Sequence, residues 1–250
     1  MLSVEGITQM FGGLTALEDV SFSVEPRSIT GIIGPNGAGK TTLFNIVTGL
    51  YTQTEGKVYL DKKNISFFEP ETLAGLGLVR TFQNVELFGQ MSVLENVMVG
   101  LHTKSKSGIF SCAFKLPGQI REEKIVREKA FRWLEFTGLV DEAGITADNL
   151  PFGKGRLLEI ARTLAVEPQL ILMDEPAAGL NSLETAQLAK LIQKIRQSGI
   201  TIVLVEHDME LVMDVCDSII VLNLGKLLAV GTPREIQENP MVIAAYLGEG

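Results

Sequence analysis

Cysteine is scarce in this chain. Cys112 and Cys216 are the two present in 250 residues, and neither has a CxxC partner or a histidine-rich neighbour. That excludes a disulfide scaffold or a structural zinc site and suits a reducing compartment. Basic charge is in deficit as well. A formal net charge of -8 leaves no cationic stripe to displace counterions from a phosphate backbone, so nucleic acid is not an expected partner. Lys104 with Lys106, and Arg121 with Lys124, Arg127 and Lys129, are interleaved with serines or glutamates and read as solvated faces. Long hydrophobic runs are missing too. Ile200 to Val205 and Ser218 to Val230 are broken by Glu206, Asn223 and Lys226 before reaching the roughly 20 apolar residues that span a bilayer. The segment Met1 to Gly6 lacks the basic region and apolar core of a secretory signal. Any membrane role is therefore expected to come through a partner.

What is present is ordinary for a packed protein: 46% hydrophobic and 21% charged residues, with 25 glycines and 9 prolines. The length suits one large α/β domain, or a core carrying a smaller insertion. Short β-like runs at Val20 to Val24, Ser28 to Ile33 and Lys57 to Leu60 make the first sixty residues strand-rich. After Gly39 the pattern turns helical, with Leu43, Ile46 and Val47 on one face and Gly49 as the stop. Residues 84 to 165 read as a helical insertion. Val93, Val97 and Leu101 follow Ser92 at helical intervals, and Ile125, Ala130, Phe131 and Leu134 are expected along one face of a helix over Gln119 to Gly138. Trp133 and Phe136 read as packing residues. Strands return at Leu170 to Met173, Thr201 to Val205 and Ser218 to Leu222, alternating with helices such as Leu183 to Gln197, which predicts a mostly parallel sheet covered on both faces.

The strongest chemical signal is Gly34-Pro35-Asn36-Gly37-Ala38-Gly39-Lys40-Thr41, with Thr42 next, set between an apolar strand and a helix. It fits the phosphate-loop pattern in full. Glycines let backbone N–H groups converge on phosphates, the helix N-terminus adds partial positive charge, Lys40 reaches the terminal phosphates, and the Thr41 hydroxyl can ligate magnesium. A second signal is the apolar strand ending in Asp174-Glu175, where ligands of open α/β sheets gather. Asp174 is expected to hold the metal through water and Glu175 to polarise an attacking water. His207, after the next apolar strand, could touch the same terminal phosphate. Gln83, in Arg80-Thr81-Phe82-Gln83, says nothing alone.

The phosphate loop, Gln83, Leu150-Pro151-Phe152-Gly153-Lys154 feeding a helix, Asp174-Glu175 and His207 occur in the order found in ATP-binding cassette subunits, and the chain resembles that family over essentially its whole length. The resemblance implies a P-loop NTPase core with an N-terminal antiparallel β subdomain and a helical subdomain, the core over 1–83 and 166–250 and the helical part over 84–165. It implies an ATP-hydrolysing subunit using ATP and magnesium. Phe11 would stack on adenine, Gln83 would link the metal site to a membrane partner, His207 would sense the γ-phosphate, and Asn181 stands where most of the family has Asp. The signature segment departs from the usual Leu-Ser-Gly-Gly-Gln: Pro151 cannot donate a backbone hydrogen bond, while Gly153 and the helix from Leu157 to Ala165 can still face an anion held by a partner.

A segment of the form Leu-Pro-aromatic-Gly before Leu-Glu-Ile-Ala-Arg is similar to the ATPases of branched-chain amino acid importers. So are Arg80 to Asn84, Glu206 to Met209, Ala245 to Gly248 and an apolar insertion like Gly108 to Gly118, although Lys154 and Gly155 replace glutamines. The resemblance implies two cassettes packed head to tail, either a homologous pair or two copies of this chain. It also implies permease subunits, indirectly a solute-binding protein, and a peripheral place on the cytoplasmic face of the inner membrane. A lipid or lipopolysaccharide exporter ATPase shares much of the motif set, but Leu150-Pro151-Phe152-Gly153 argues against it. A soluble cassette acting on ribosomes or DNA would be expected to carry two cassettes or a sustained coiled coil, and neither is present. A cassette that has lost catalysis would explain Pro151 and Lys154 but not the retention of Glu175 and His207.

Overall fold

A computed structural model of the chain describes residues 1–81, 87–102 and 117–247. Gln83 and most of the stretch from Gly108 to Gly118, both singled out above, lie outside the described residues. The chain divides into two compact units, Met1–Arg80 with Gln169–Gly250, and Thr81–Pro168.

The first unit holds two sheets. Strands β1 (Leu2–Phe11), β2 (Leu14–Val24), β4 (Glu55–Leu60) and β5 (Lys63–Asn64) form an antiparallel sheet in the order β2-β1-β4-β5. Strand β3 (Ile29–Ile33) belongs to a six-stranded sheet with β6 (Leu78–Arg80), β7 (Leu170–Asp174), β8 (Thr201–Val205), β9 (Ser218–Asn223) and β10 (Lys226–Gly231), in the order β10-β9-β3-β8-β7-β6. Every pairing in it is parallel except β9 with β10. Strands β3, β7 and β8 are buried at every position, as their unbroken apolar runs require of strands covered on both faces. Helices α1 (Lys40–Val47), α2 (Pro70–Gly75), α6 (Ser182–Gln197), α7 (Met209–Val215), α8 (Pro233–Gln237) and α9 (Pro240–Leu247) complete the unit. One apolar cluster runs from Leu2, Val4 and Ile7 through Ile32, Leu43 and Phe44 to Leu172, Val205 and Ile220. Each such fully buried side chain contributes about 1.5–3 kcal/mol.

The second unit is helical: α3 (Val93–His102), α4 (Pro117–Thr137) and α5 (Phe152–Ala165). Ser92 and Glu95 close a reciprocal cap at the start of α3, which holds the Glu95 carboxyl below its usual range. Val93, Val97, Ala130, Leu134, Leu158 and Ala161 form its core, with Trp133 packed against it. Gly100 lets α3 close on α5, since a Cβ there would stand 2.5 Å from the Arg162 carbonyl oxygen. Ile125 does not join this core. It is 47% exposed, so the apolar face of α4 begins later than the spacing suggested.

Two further differences from the sequence reading concern strands. Strand β1 alternates with Glu5, Gly6, Thr8 and Gln9, and its irregular register with β2 dilutes the period-two signal. Strand β7 ends at Asp174, and Glu175 lies one residue beyond it at φ 46°. The expected strand end therefore falls one residue earlier, and a backbone turn parts the two carboxylates. Among the described residues no helix is long and apolar enough to cross a membrane.

Candidate functional site

The turn from β3 into α1 makes the site. Gly34, Gly37 and Gly39 all take positive φ, with Gly39 as the N-cap of α1 at φ 100°. Gly34 is the most constrained: a Cβ there would lie 2.1 Å from the Leu222 carbonyl oxygen of β9. Replacing Gly34 by Ala is expected to destabilise the chain by about 2 kcal/mol or more and to weaken nucleotide capture. Chemical denaturation and calorimetric titration read the two effects separately. Lys40 is buried, and its Nζ donates to the carbonyls of Gly34 at 2.6 Å and Pro35 at 2.9 Å. The loop thus folds around its own ammonium group.

A cavity of about 420 Å³ opens over this turn. Asn36, Gly37, Ala38, Gly39, Lys40, Thr41 and Thr42 line it, and so do Glu175 and His207. The cavity therefore brings together the phosphate-loop pattern and the ends of two adjacent strands, β7 and β8. His207 Nε2 lies 2.8 Å from Glu175 Oε1. The Glu175 N–H donates to the Val205 carbonyl at 2.9 Å, which ties the turn after β7 to the last residue of β8. That bond fixes a left-handed backbone conformation that costs about 1–3 kcal/mol for a residue with a side chain.

Asp174 does not line the cavity. It is buried at the end of β7, where its Oδ2 accepts from Arg80 Nη2 at 2.5 Å. Arg80 also donates to Asn45 Oδ1 at 2.7 Å and stands 5.6 Å from the centre of the Phe44 ring. The donor set of a threonine hydroxyl at the first turn of α1 and a buried carboxylate is hard oxygen, which fits magnesium. Phe11, at the end of β1, is 44% exposed and meets Tyr51 edge to face at 5.7 Å, outside the residues that line the cavity. Gly153 belongs to the other unit, in the first turn of α5 after the N-cap Pro151; Lys154 is ion-paired with Glu142 there. Asn181 caps α6, its side chain accepting from the N–H groups of Leu183 and Glu184 at 3.0 Å each.

Sequence reasoning missed several contributors. Leu14, Thr15 and Ala16 enter the cavity from β2, and the β9–β10 turn brings Leu224 and Gly225. The only local signal was Gly225, which with Leu224 takes the positive φ of a tight hairpin. Arg80 reaches Asp174 because β6 and β7 run parallel with Arg80 opposite Leu172. Glu206 is 4% exposed and its carboxyl is held above the usual range, chiefly by burial and against the pull of three backbone N–H donors. Cys216 is buried with its thiol pushed up to about 12, which keeps it protonated and inert.

Comparison with known proteins bears on this arrangement. A family model described as ABC transporter matches residues 17–178, and one described as branched-chain amino acid ATP-binding cassette transporter matches residues 226–250. The chain is 46% identical over 250 residues to the high-affinity branched-chain amino acid transport ATP-binding protein LivG of Escherichia coli strain K12, covering 100% of this chain and 98% of that one. A probable branched-chain amino acid transport ATP-binding protein of Archaeoglobus fulgidus is 37% identical over 248 residues, 99% of this chain and 95% of its own length. Among solved structures, the ADP conformation of MJ1267, an ATP-binding cassette of an ABC transporter, matches with a TM-score of 0.86 at 36% identity, covering 99% of this chain and 98% of that one.

Proposed function

As a member of the ABC transporter family the chain is an ATP-binding ATPase, and we propose that it drives import of branched-chain or other hydrophobic amino acids. The observation that carries this reading is the cavity in which the phosphate-loop turn, Glu175 and His207 converge, in a chain whose full length and C-terminal segment match transport cassettes of that class. Its partners are a second, homologous ATPase subunit, or a second copy of itself, and membrane-spanning permeases at the inner face of the membrane. A solute-binding protein would deliver the cargo to the permeases.

In this reading the N–H groups from Asn36 to Thr42 hold the phosphates, and Lys40 exchanges its two carbonyl partners for terminal phosphate oxygens. Thr41, Asp174 and Gln83 would hold magnesium, Asp174 through water. Bound magnesium supplies charge screening and orientation of the terminal phosphoryl group. Glu175 takes the proton of the attacking water, and His207 orients Glu175 and the γ-phosphate from the neighbouring strand end. Phe11 stacks on the adenine, and Gly153 with the start of α5 faces the nucleotide of the partner cassette.

The test is reconstitution. The chain, purified from membranes with the permeases that accompany it, is placed in vesicles with the matching solute-binding protein. ATP-dependent uptake of radiolabelled leucine is the expected result. ATP hydrolysis without uptake of any branched-chain or hydrophobic amino acid would overturn the cargo assignment, and absence of hydrolysis would overturn the motor assignment.

A further inference from the structure

The buried carboxylate of Glu206 joins two segments that lie 29 residues apart in the chain. Its Oε1 accepts from the Ala177 N–H at 2.7 Å, and its Oε2 accepts from the N–H groups of His207 at 2.9 Å and Asp208 at 3.3 Å. Ala177 lies in the turn that Glu175 begins, where the Ala178 N–H returns to the Glu175 carbonyl at 3.0 Å and the Leu180 N–H to the Ala177 carbonyl at 3.0 Å. Asp208 caps α7. One carboxylate therefore holds both the turn after β7 and the start of the segment after β8.

We propose that Glu206 is a positioning residue for hydrolysis: it clamps the Glu175 turn to the His207 segment and so sets the 2.8 Å approach of those two side chains. The inference rests on the reading of Glu175 and His207 given above. Two features set Glu206 apart from an ordinary structural acid. Among the described residues it is satisfied by backbone N–H groups, with Asp208 as a further negative charge nearby. Burial also pushes its carboxyl above the usual range, so the ionised form is stabilised less in the fold than in water. The acceptor count explains why it must be a carboxylate: glutamine offers one acceptor oxygen and turns an NH2 group toward a backbone N–H, so one end of the clamp is lost.

The experiment uses the full-length chain carrying Glu206→Gln, Glu206→Asp, Glu175→Ala or His207→Ala. Steady-state hydrolysis is expected to fall about 10- to 100-fold in Glu206→Gln, as a displacement of about 1 Å in a catalytic group implies, while affinity for a fluorescent ATP analogue stays within about twofold. Glu206→Asp, which keeps two acceptor oxygens on a shorter stem, should recover part of that rate. The second readout does not need turnover. The chain has two histidines, so the His207 Nε2 resonance can be assigned by its loss in His207→Ala. In Glu206→Gln it should move toward its position in Glu175→Ala, where the acceptor is absent. An unmoved resonance, a rate equal to wild type, or an Asp variant no better than the Gln variant would overturn the proposal. Failure of wild type to hydrolyse ATP would instead count against the motor assignment, with the resonance still testing the clamp.

Discussion

Glu175→Gln is expected to lower ATP hydrolysis about 10³-fold while leaving ATP binding within a few-fold of wild type. The reason is local. Glu175 lines the cavity beside the phosphate-loop turn, and its Oε1 is 2.8 Å from His207 Nε2; in the proposed reading this carboxylate receives the proton of the attacking water. The amide of glutamine preserves shape and one acceptor but cannot take that proton at any useful rate. Single-turnover hydrolysis beside equilibrium binding of labelled ATP checks the claim. Undiminished turnover would remove Glu175 from the role of base. His207→Ala should have a smaller effect, since it removes an orienting contact and leaves the Glu175 carboxylate in place.

Arg80→Ala is expected to destabilise the chain by about 3–5 kcal/mol. The side chains of Arg80 and Asp174 are 10% and 5% exposed, and their oxygen–nitrogen separation is 2.5 Å. Deleting the guanidinium leaves a buried carboxylate without its cation and also removes the contacts to Asn45 and to the Phe44 ring. Most of the loss should come from the stranded charge, not from the missing contacts. The double variant Arg80→Met with Asp174→Asn should therefore be markedly more stable than the sum of its single variants predicts. Urea denaturation of the four proteins closes the cycle; strict additivity would show that the pair contributes nothing as a pair.

These effects separate what a sequence can reveal from what it hides. The phosphate-loop turn was legible because its chemistry forces glycine at fixed positions, and Gly34 shows the force directly in its approach to Leu222. Strands β3, β7 and β8 were legible because burial on both faces leaves unbroken apolar runs. Glu175 and His207 followed from standing at the ends of two such strands. Arg80 was hidden because its partner is 94 residues away and is reached only through the parallel register of β6 and β7. Glu206 was hidden for another reason. It reads as the polar stop of an apolar strand, and nothing local says that its side chain turns inward to the Ala177 N–H. Ile125 failed because helical spacing alone does not say where along α4 packing begins. The fold was thus readable where each element reports its own environment; of the expected site residues, the cavity gathers the phosphate-loop turn, Glu175 and His207, while Asp174 and Phe11 do not line it and Gln83 lies outside the described residues.

Lys40 meets nucleotide already engaged, holding the Gly34 and Pro35 carbonyls at 2.6 and 2.9 Å. If Lys40 binds the terminal phosphates as proposed, capture is an exchange of acceptors at one ammonium. The turn is no slack loop awaiting a guest. It is a template whose shape is held by the very group that, in the proposed reading, a triphosphate would claim.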